Sequence, residues 1–399
     1  MKKYTVSIIQ PSGYIHSGAF LELAELVVFG LRKLGIQADL KWNSIDSGCR
    51  NILFGVHLLN TDCIQQLPRD SVLVNTEQLS SVTSGWNSNI LKWFRSGFEL
   101  WDYSDSNIVY LKDAGISNVK KLGLGYVEGL RRIIHGNKDV DVLFYGSLNQ
   151  RRSDVLSKIE WKGFKVKSLF GVYGRERDNW IGRSKLVLNV HYMESKIFEI
   201  VRVFYLMTNS VPVVGEVGSQ TKIDKLFLDG VAHTDYDFIP DLIDSILKDP
   251  LRLNELARKG FETISNYPQE DYLRELVSPS PVVAVPQNQS VSKSKMTSHA
   301  MSGYSFGQNI VTQPSSNVVP YGFSIASIGK SHFSIGQSTP VEKLTPDVLM
   351  DRAKKLQQGG DLDAVLTVCD EILKDYSDYS PALNLKGEIL LQMGKGERH

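Results

Sequence analysis

Cysteine is scarce in this chain: three among 399 residues, Cys49, Cys63 and Cys369, at unrelated spacings. Without a C-x-x-C pair the pattern excludes a zinc-ribbon or dithiol redox centre and reads as reduced, mostly buried thiols of a cytoplasmic protein. Excess charge is also missing. Forty-five basic and 44 acidic residues leave a formal net charge of +1, too weak a field to hold a wrapped polyanion, so no nucleic-acid partner is expected. Long apolar runs are lacking too. No stretch approaches the ~18 residues of a membrane span, and MKKYTVSIIQPSGY has only ~5 apolar residues before Gln10, too few for a secretory signal. A cytoplasmic location follows, with room for work beside the inner face of a membrane that holds an acceptor.

What is present is alternation. Short apolar runs separated by helical patterns predict doubly wound α/β folding. YTVSIIQ, NILFGVHLL, SVLVNTEQL, FELWDYS and KKLGLGY read as five strands, with AFLELAELVVFGLRKLG as a helix closed by Gly35. A second set runs through DVDVLFYGS, FKVKSLFG, KLVLNVHY, VPVVGE and GVAHTDYD, with helices at 153–160, 177–184 and 196–209 and a helical tail over 241–277. The fold expected is α/β, two tandem Rossmann-like domains at 1–137 and 138–277. Residues 278–342 are rich in Ser, Gln, Asn, Val and Pro and read as a linker. In the remainder, 343–399, Ala353, Gly360, Ala364, Leu373, Pro381, Ala382 and Gly387 stand where a tetratricopeptide repeat places its small packing residues and turn proline; the segment resembles such helices.

Chemistry in open parallel sheets gathers at the carboxyl ends of the strands. Those ends carry His16, His57 and Glu77 in the first half, and Gly146, Ser147, Arg151, Arg152, Tyr173, Asn189, His191 and Glu216 in the second. In FYGSLNQRRSDVLSKI a strand leads through Gly-Ser to two arginines and a helix expected to be capped by Ser153, a combination suited to a diphosphate. The stretch KIFEIVRVFYLMTNSVPVVGE places Glu199, Arg202, Tyr205 and Asn209 along one helix edge, a polar seam expected to face water or ligand. Plainer readings compete: a solvated arginine pair, structural histidines at 57 and 191, a turn acid at 77 and an internal Glu199–Arg202 pair.

Two motif matches are weak. The D-x-D strings at Asp139, Asp235 and Asp361 are scattered, so no metal is expected. GLGYVEG at Gly123 has one residue too many for the dinucleotide fingerprint and follows the fifth strand, not the first.

DVLFYGSLNQRRSDVL, LFGVYGRERDNWIGRSKLVLNVHY and FEIVRVFYLMTNSVPVVGE, in that order, resemble the donor half of group 1-like GT-B glycosyltransferases; QPSGYIHSGAFLELAELV, NILFGVHLL, VLVNTEQL and WDYSDSNIVYLKDAG resemble the acceptor half. The resemblance covers residues 1 to about 275. It implies a nucleotide-sugar bound in a cleft between two Rossmann-like lobes, without metal or other cofactor, and its transfer to a glycan, lipid-linked or protein acceptor, with retention favoured. It also implies donor contacts from Glu199, Arg202 and Tyr205, beside Gly146, Ser147, Arg151, Arg152, Tyr173 and His191. Tyr205 stands where many relatives have an acid, and Glu199 is the substitute expected to hold the ribose. His16, His57 and Glu77 are the catalytic candidates across the cleft. A protein partner would be recruited through the C-terminal helices. A non-catalytic scaffold and a nucleotide-sugar epimerase are the alternatives.

Overall fold

Strands buried on both faces read as continuous apolar runs, and the central strands here do so. The computed structural model describes residues 3–79, 85–192, 197–278 and 321–322, and parts of 349–389. The first lobe contains β1 (Tyr4–Ile8), α1 (Leu21–Lys33), β2 (Ala38–Trp42), β3 (Arg50–Phe54), β4 (Val72–Asn75), a short β5 (Glu77–Gln78), α2 (Gly85–Phe94), β6 (Glu99–Asp102), α3 (Asp105–Asp113) and β7 (Val119–Lys121). Its sheet has six parallel strands in the order β2-β1-β3-β4-β6-β7.

The second lobe contains β8 (Val140–Tyr145), α4 (Gln150–Trp161), β9 (Val166–Leu169), α5 (Gly174–Arg183), β10 (Ser184–Asn189), α6 (Ile200–Thr208), β11 (Val213–Glu216), α7 (Lys225–Gly230), β12 (Ala232–Thr234), α8 (Ile239–Leu247), α9 (Pro250–Ser265) and α10 (Gln269–Val277). Its five parallel strands run β12-β11-β10-β8-β9. Counted within each lobe, both sheets begin 2-1-3-4, so the strand order reverses at β1/β3 and at β8/β10. Those are the points where a crevice opens above the strand ends.

One strand escaped the sequence reading. β2 is an edge strand, ADLKW, with only Ala38 buried, so it has no apolar run to betray it. The cap of α4 is also corrected: Asn149, not Ser153, is the N-cap, its Oδ1 accepting the Arg152 backbone N–H at 3.0 Å. The cap moves because the residue before the first helical turn, Asn149, has the extended backbone a cap requires, whereas Ser153 lies inside the helix.

The lobes share a hydrophobic core. One cluster runs from Phe20, Leu23 and Val27 of the first lobe through Leu130 to Phe204, Leu206 and Leu273 of the second, while separate clusters fill the other face of each sheet. α10 returns to lie on α1. Gln269 fastens that return: its side chain accepts from Gly125 N at 2.7 Å and donates to Gly123 O at 3.0 Å. A Cβ on Gly125 would overlap the Tyr267 carbonyl oxygen, and one on Gly123 the Tyr272 ring. The glycines of GLGYVEG therefore serve close packing of the chain on itself.

The chain divides into two units, Met1–Ala326 and Ser327–His399. In the first, β13 (Tyr321–Gly322) pairs antiparallel with β5; the rest of the expected linker after Ser278 lies outside the described residues. In the second, α11 (Leu362–Asp375) buries Val365, Val368, Cys369 and Ile372 against Ala353, Ala382, Leu385 and Ile389. Gly360 and Gly387 of the repeat-like pattern lie outside the described residues.

Candidate functional site

The carboxyl ends of β8, β10 and β11 bring Gly146, Ser147, Arg151, Arg152, His191, Glu199 and Arg202 together, with Asn189 and Glu216 among them. Gly146 has φ +137°, a conformation side chains avoid, and a Cβ there would stand 3.1 Å from Arg202 Nη2 and 3.6 Å from Arg152 Nη1. The bare backbone admits two guanidinium groups at the switch point of the sheet.

Each cation has a defined seat. Arg152, 1% exposed, donates to the Val190 carbonyl at 3.0 and 2.6 Å, to Ser147 O at 2.8 Å and to Glu199 Oε1 at 3.2 Å. Arg202 donates to Asn189 Oδ1 at 2.7 Å and lies 4.9 Å from the Tyr145 ring centre. Arg151 is nearer the surface, forking onto Glu216 (2.7 Å to Oε2), donating to His191 O at 3.0 Å and stacking on Tyr236 at 3.9 Å.

Glu199 is fully buried, accepting from Arg152 and from Asn189 Nδ2 at 3.0 Å, with His191 Nδ1 at 3.5 Å. Burial alone would raise its pKa, but the facing His191, Arg152 and Arg202 outweigh it and hold the carboxyl at about 2. Burial brings Arg152 down to about 10, still charged at neutral pH. The carboxylate expected to hold a ribose is thus turned inward, as counter-ion to the cations.

The seam does not face water. Glu199, Arg202, Tyr205 and Asn209 are each 2–3% exposed. Glu199, the N-cap residue of α6, and Arg202 meet the strand ends. Tyr205 instead donates to Asp178 Oδ2 at 2.7 Å and accepts from Arg132 Nε at 3.1 Å. Asn209 Oδ1 accepts from the backbone of Arg132 and Ile133 at 2.8 and 2.9 Å, and its amide donates to Leu130 O at 2.9 Å. This lower half holds the segment joining the lobes, so Tyr205 lies away from the strand-end cluster.

Across the cleft, His16 Nδ1 shares a 2.7 Å hydrogen bond with Tyr173 Oη, and its ring lies 5.1 Å from that of Phe170. Burial lowers the His16 pKa. His57 and Glu77 meet each other inside the first lobe, His57 Nε2 being 3.8 Å from Glu77 Oε1, and burial pushes the imidazole down to about 3. Beside them Asp102 accepts from Asn75 Nδ2 at 2.6 Å, Ser104 N at 2.8 Å and Asn107 Nδ2 at 3.1 Å. Its desolvation outweighs these bonds and lifts it to about 7.

Arg177 went unnoticed in the sequence. It is 3% exposed, donates to both oxygens of Glu22 at 3.1 and 2.8 Å and to Asp178 at 2.8 Å, and crosses from α5 to α1. Nothing in GRERDNWIGR separates it from its solvated neighbours. Arg177, Arg152, Arg202, Gly146, Ala19 and Tyr173 line a cavity of about 30 Å³, room for little more than a water. The D-x-D string at Asp139 is spent on ion pairs of Asp139 with Arg183 and of Asp141 with Lys185.

No protein-family model matches the chain. Its curated relatives include uncharacterized proteins of Acanthamoeba polyphaga mimivirus. One is 27% identical over 167 residues, 40% of this chain and 22% of that protein. Another is 26% identical over 203 residues, 49% of this chain and 64% of that protein. The chain thus spans less than two thirds of the length of each. Among solved structures it is similar to sucrose-phosphate synthase from Thermosynechococcus elongatus, with 12% identity, a TM-score of 0.46 and coverage of 69% of this chain and 97% of that one. Anabaena HepE in complex with UDP gives 10%, 0.44, 70% and 100%. WaaG, a glycosyltransferase involved in lipopolysaccharide biosynthesis, gives 9%, 0.43, 69% and 100%. Among the described residues no helix is long and apolar enough to cross a membrane.

Proposed function

We propose that the chain is a nucleotide-sugar-dependent glycosyltransferase of GT-B type, acting without a metal ion and with retention of configuration. The observation that carries this reading is the seating of Arg152 and Arg202 against the bare face of Gly146 at the β8/β10 switch point. Breaking the bond between the sugar and a nucleoside diphosphate leaves negative charge on the departing phosphate. Fixed guanidinium groups in a water-poor crevice stabilise that charge more than solvent does. In this reading Arg202, Arg152 and the Gly146–Ser147 backbone receive the diphosphate, Arg151 and His191 flank it, and Glu199 keeps the arginines aligned. His16 stands on the acceptor side of the cleft; His57 and Glu77 lie behind it as a buried polar pair. The carbon left by the phosphate gains positive character and takes the acceptor hydroxyl oxygen, whose proton leaves with the phosphate.

One observation favours a second reading, a binding shell without turnover: Arg151 and Arg152 already have the carboxylates of Glu216 and Glu199 as partners. Incubation with a panel of UDP-, GDP- and ADP-sugars separates the two. Release of free nucleotide that Arg202→Ala lowers about 100-fold or more supports transfer. Tight binding with no release supports the shell, and a sugar isomer in place of nucleotide would point to epimerisation.

A further inference from the structure

Two cavities open at the strand ends. The larger, of about 240 Å³ beside Ser104 and Thr221, has no arginine among its described lining residues. The first, of about 30 Å³, has three, Arg152, Arg177 and Arg202. Like charges gathered round so small a void repel one another unless anions stand beside them. Two of these cations draw their anions from different places. Arg152 has Glu199, a carboxylate of its own lobe that Asn189 also holds. Arg177, on α5, has Glu22 of α1, which belongs to the other lobe. Glu22 stands three residues beyond Ala19, a first-lobe residue that walls the cavity. Parting the lobes to admit a nucleotide therefore takes Glu22 from Arg177 and leaves Glu199 with Arg152. The neighbouring groups suit that exchange. Glu22 has a second cation in reach, Arg132 Nη2 at 3.7 Å, and Asp178 keeps the Tyr205 hydroxyl at 2.7 Å, so neither carboxylate is stranded when Arg177 leaves. Arg177 lies between the rings of Tyr145 and Tyr205, 5.6 and 5.1 Å from their centres, and its Nε has no partner among the described residues. A buried guanidinium with an idle donor is incompletely satisfied where it stands.

We propose that Glu22 and a diphosphate compete for Arg177: the Glu22–Arg177 pair is a clasp that holds the lobes shut over the cavity, and an entering diphosphate opens it by taking the guanidinium. A phosphate offers the guanidinium fork two oxygens in the geometry a carboxylate offers and carries more charge. The exchange leaves no buried charge unpaired, which is what makes a buried ion pair costly to break. The inference rests on the donor-site reading for the nucleotide, whereas the competition itself needs only a diphosphate.

Calorimetric titration of the full chain with UDP, GDP, ADP and inorganic pyrophosphate tests it, on wild type, Glu22→Gln, Arg177→Gln and the double variant. Glu22→Gln is expected to bind at least one nucleoside diphosphate about threefold or more tighter than wild type, and Arg177→Gln about threefold or more weaker. The gain from Glu22→Gln vanishes in the Arg177→Gln background, where no guanidinium is left to release; a general loosening of the fold would give the same gain in both. Where Glu22→Gln does not fold alone, hydrogen exchange in wild type decides: saturation with the tightest of the four probes slows exchange at 146–152 and quickens it at 21–25. Equal or weaker binding by folded Glu22→Gln, a gain that persists without Arg177, or slower exchange at 21–25 overturns the clasp. If nucleotide binding is then still lowered by Arg202→Ala, the donor reading survives that result. Pyrophosphate binding that follows the expected cycle, with nucleotides no tighter than pyrophosphate, supports the clasp and removes the donor reading. No binding of any probe by any of these proteins overturns both.

Discussion

At the scale of single residues, the buried ionisable groups of the first lobe oppose one another in a way that pH can expose. Asp102 titrates near 7 in the folded chain against 3.8 ordinarily. Between those values the native state holds a proton that the unfolded chain has lost, so its contribution to stability falls as pH rises. His57 titrates near 3 against 6.5. Over that window the unfolded chain holds the extra proton, and stability rises with pH. Each effect is on the order of 4 kcal/mol, and over the shared span they largely cancel. Denaturation from about pH 4 to about pH 7 should therefore respond oppositely to two substitutions. Relative to wild type, Asp102→Asn gains stability toward neutral pH and His57→Gln loses it. Parallel curves for all three proteins would show that neither group is buried as described.

At the scale of elements, the sheet centres were legible and the edges less so. VLF of β8 and LVL of β10 are apolar throughout because helices cover both faces of the sheet, and that pattern survives without any knowledge of partners. β2 has one face in solvent and reads like a loop. Arg151 and Arg152 stood out because strand-end position is itself a signal in a parallel sheet, and Arg202 because it interrupts an otherwise apolar helix. The direction in which each points did not, since Glu199 and Tyr205 share one helical edge yet meet different elements. Arg177 was missed for a related reason: its partner Glu22 is 155 residues away, and pairing at that separation leaves no local trace. The glycines at 123 and 125 make sense only once α10 has come back to α1. Gly125→Ala forces the Tyr267 carbonyl away and should cost about 2 kcal/mol or more. The measurement is thermal unfolding together with hydrogen exchange at 269–277, where faster exchange is expected; unchanged melting and exchange would mean that α10 docks by other contacts.

At the scale of the whole molecule, the lobes are held face to face by buried polar contacts as well as by shared core. Arg177 with Glu22, His16 with Tyr173, and Gln78 Nε2 with Ile197 O at 3.0 Å all cross the cleft. Removing one partner of a buried ion pair strands the other charge, so Glu22→Gln should lower stability by about 3–5 kcal/mol. A loss below about 1 kcal/mol in chemical denaturation would show that Arg177 finds water or another acid when Glu22 is neutral. The same contacts explain the small first cavity. A nucleotide needs several hundred cubic ångströms, so the loops at 145–147 and 170–173 must part from the first lobe to admit one. The most direct test of a guanidinium-lined donor site is calorimetric titration of the chain and of Arg202→Ala with UDP, GDP and ADP. Binding of at least one of them by the wild type, weakened about tenfold or more in a variant with unchanged circular dichroism, is the predicted result. No binding by wild type, or equal affinity in the variant, would contradict it.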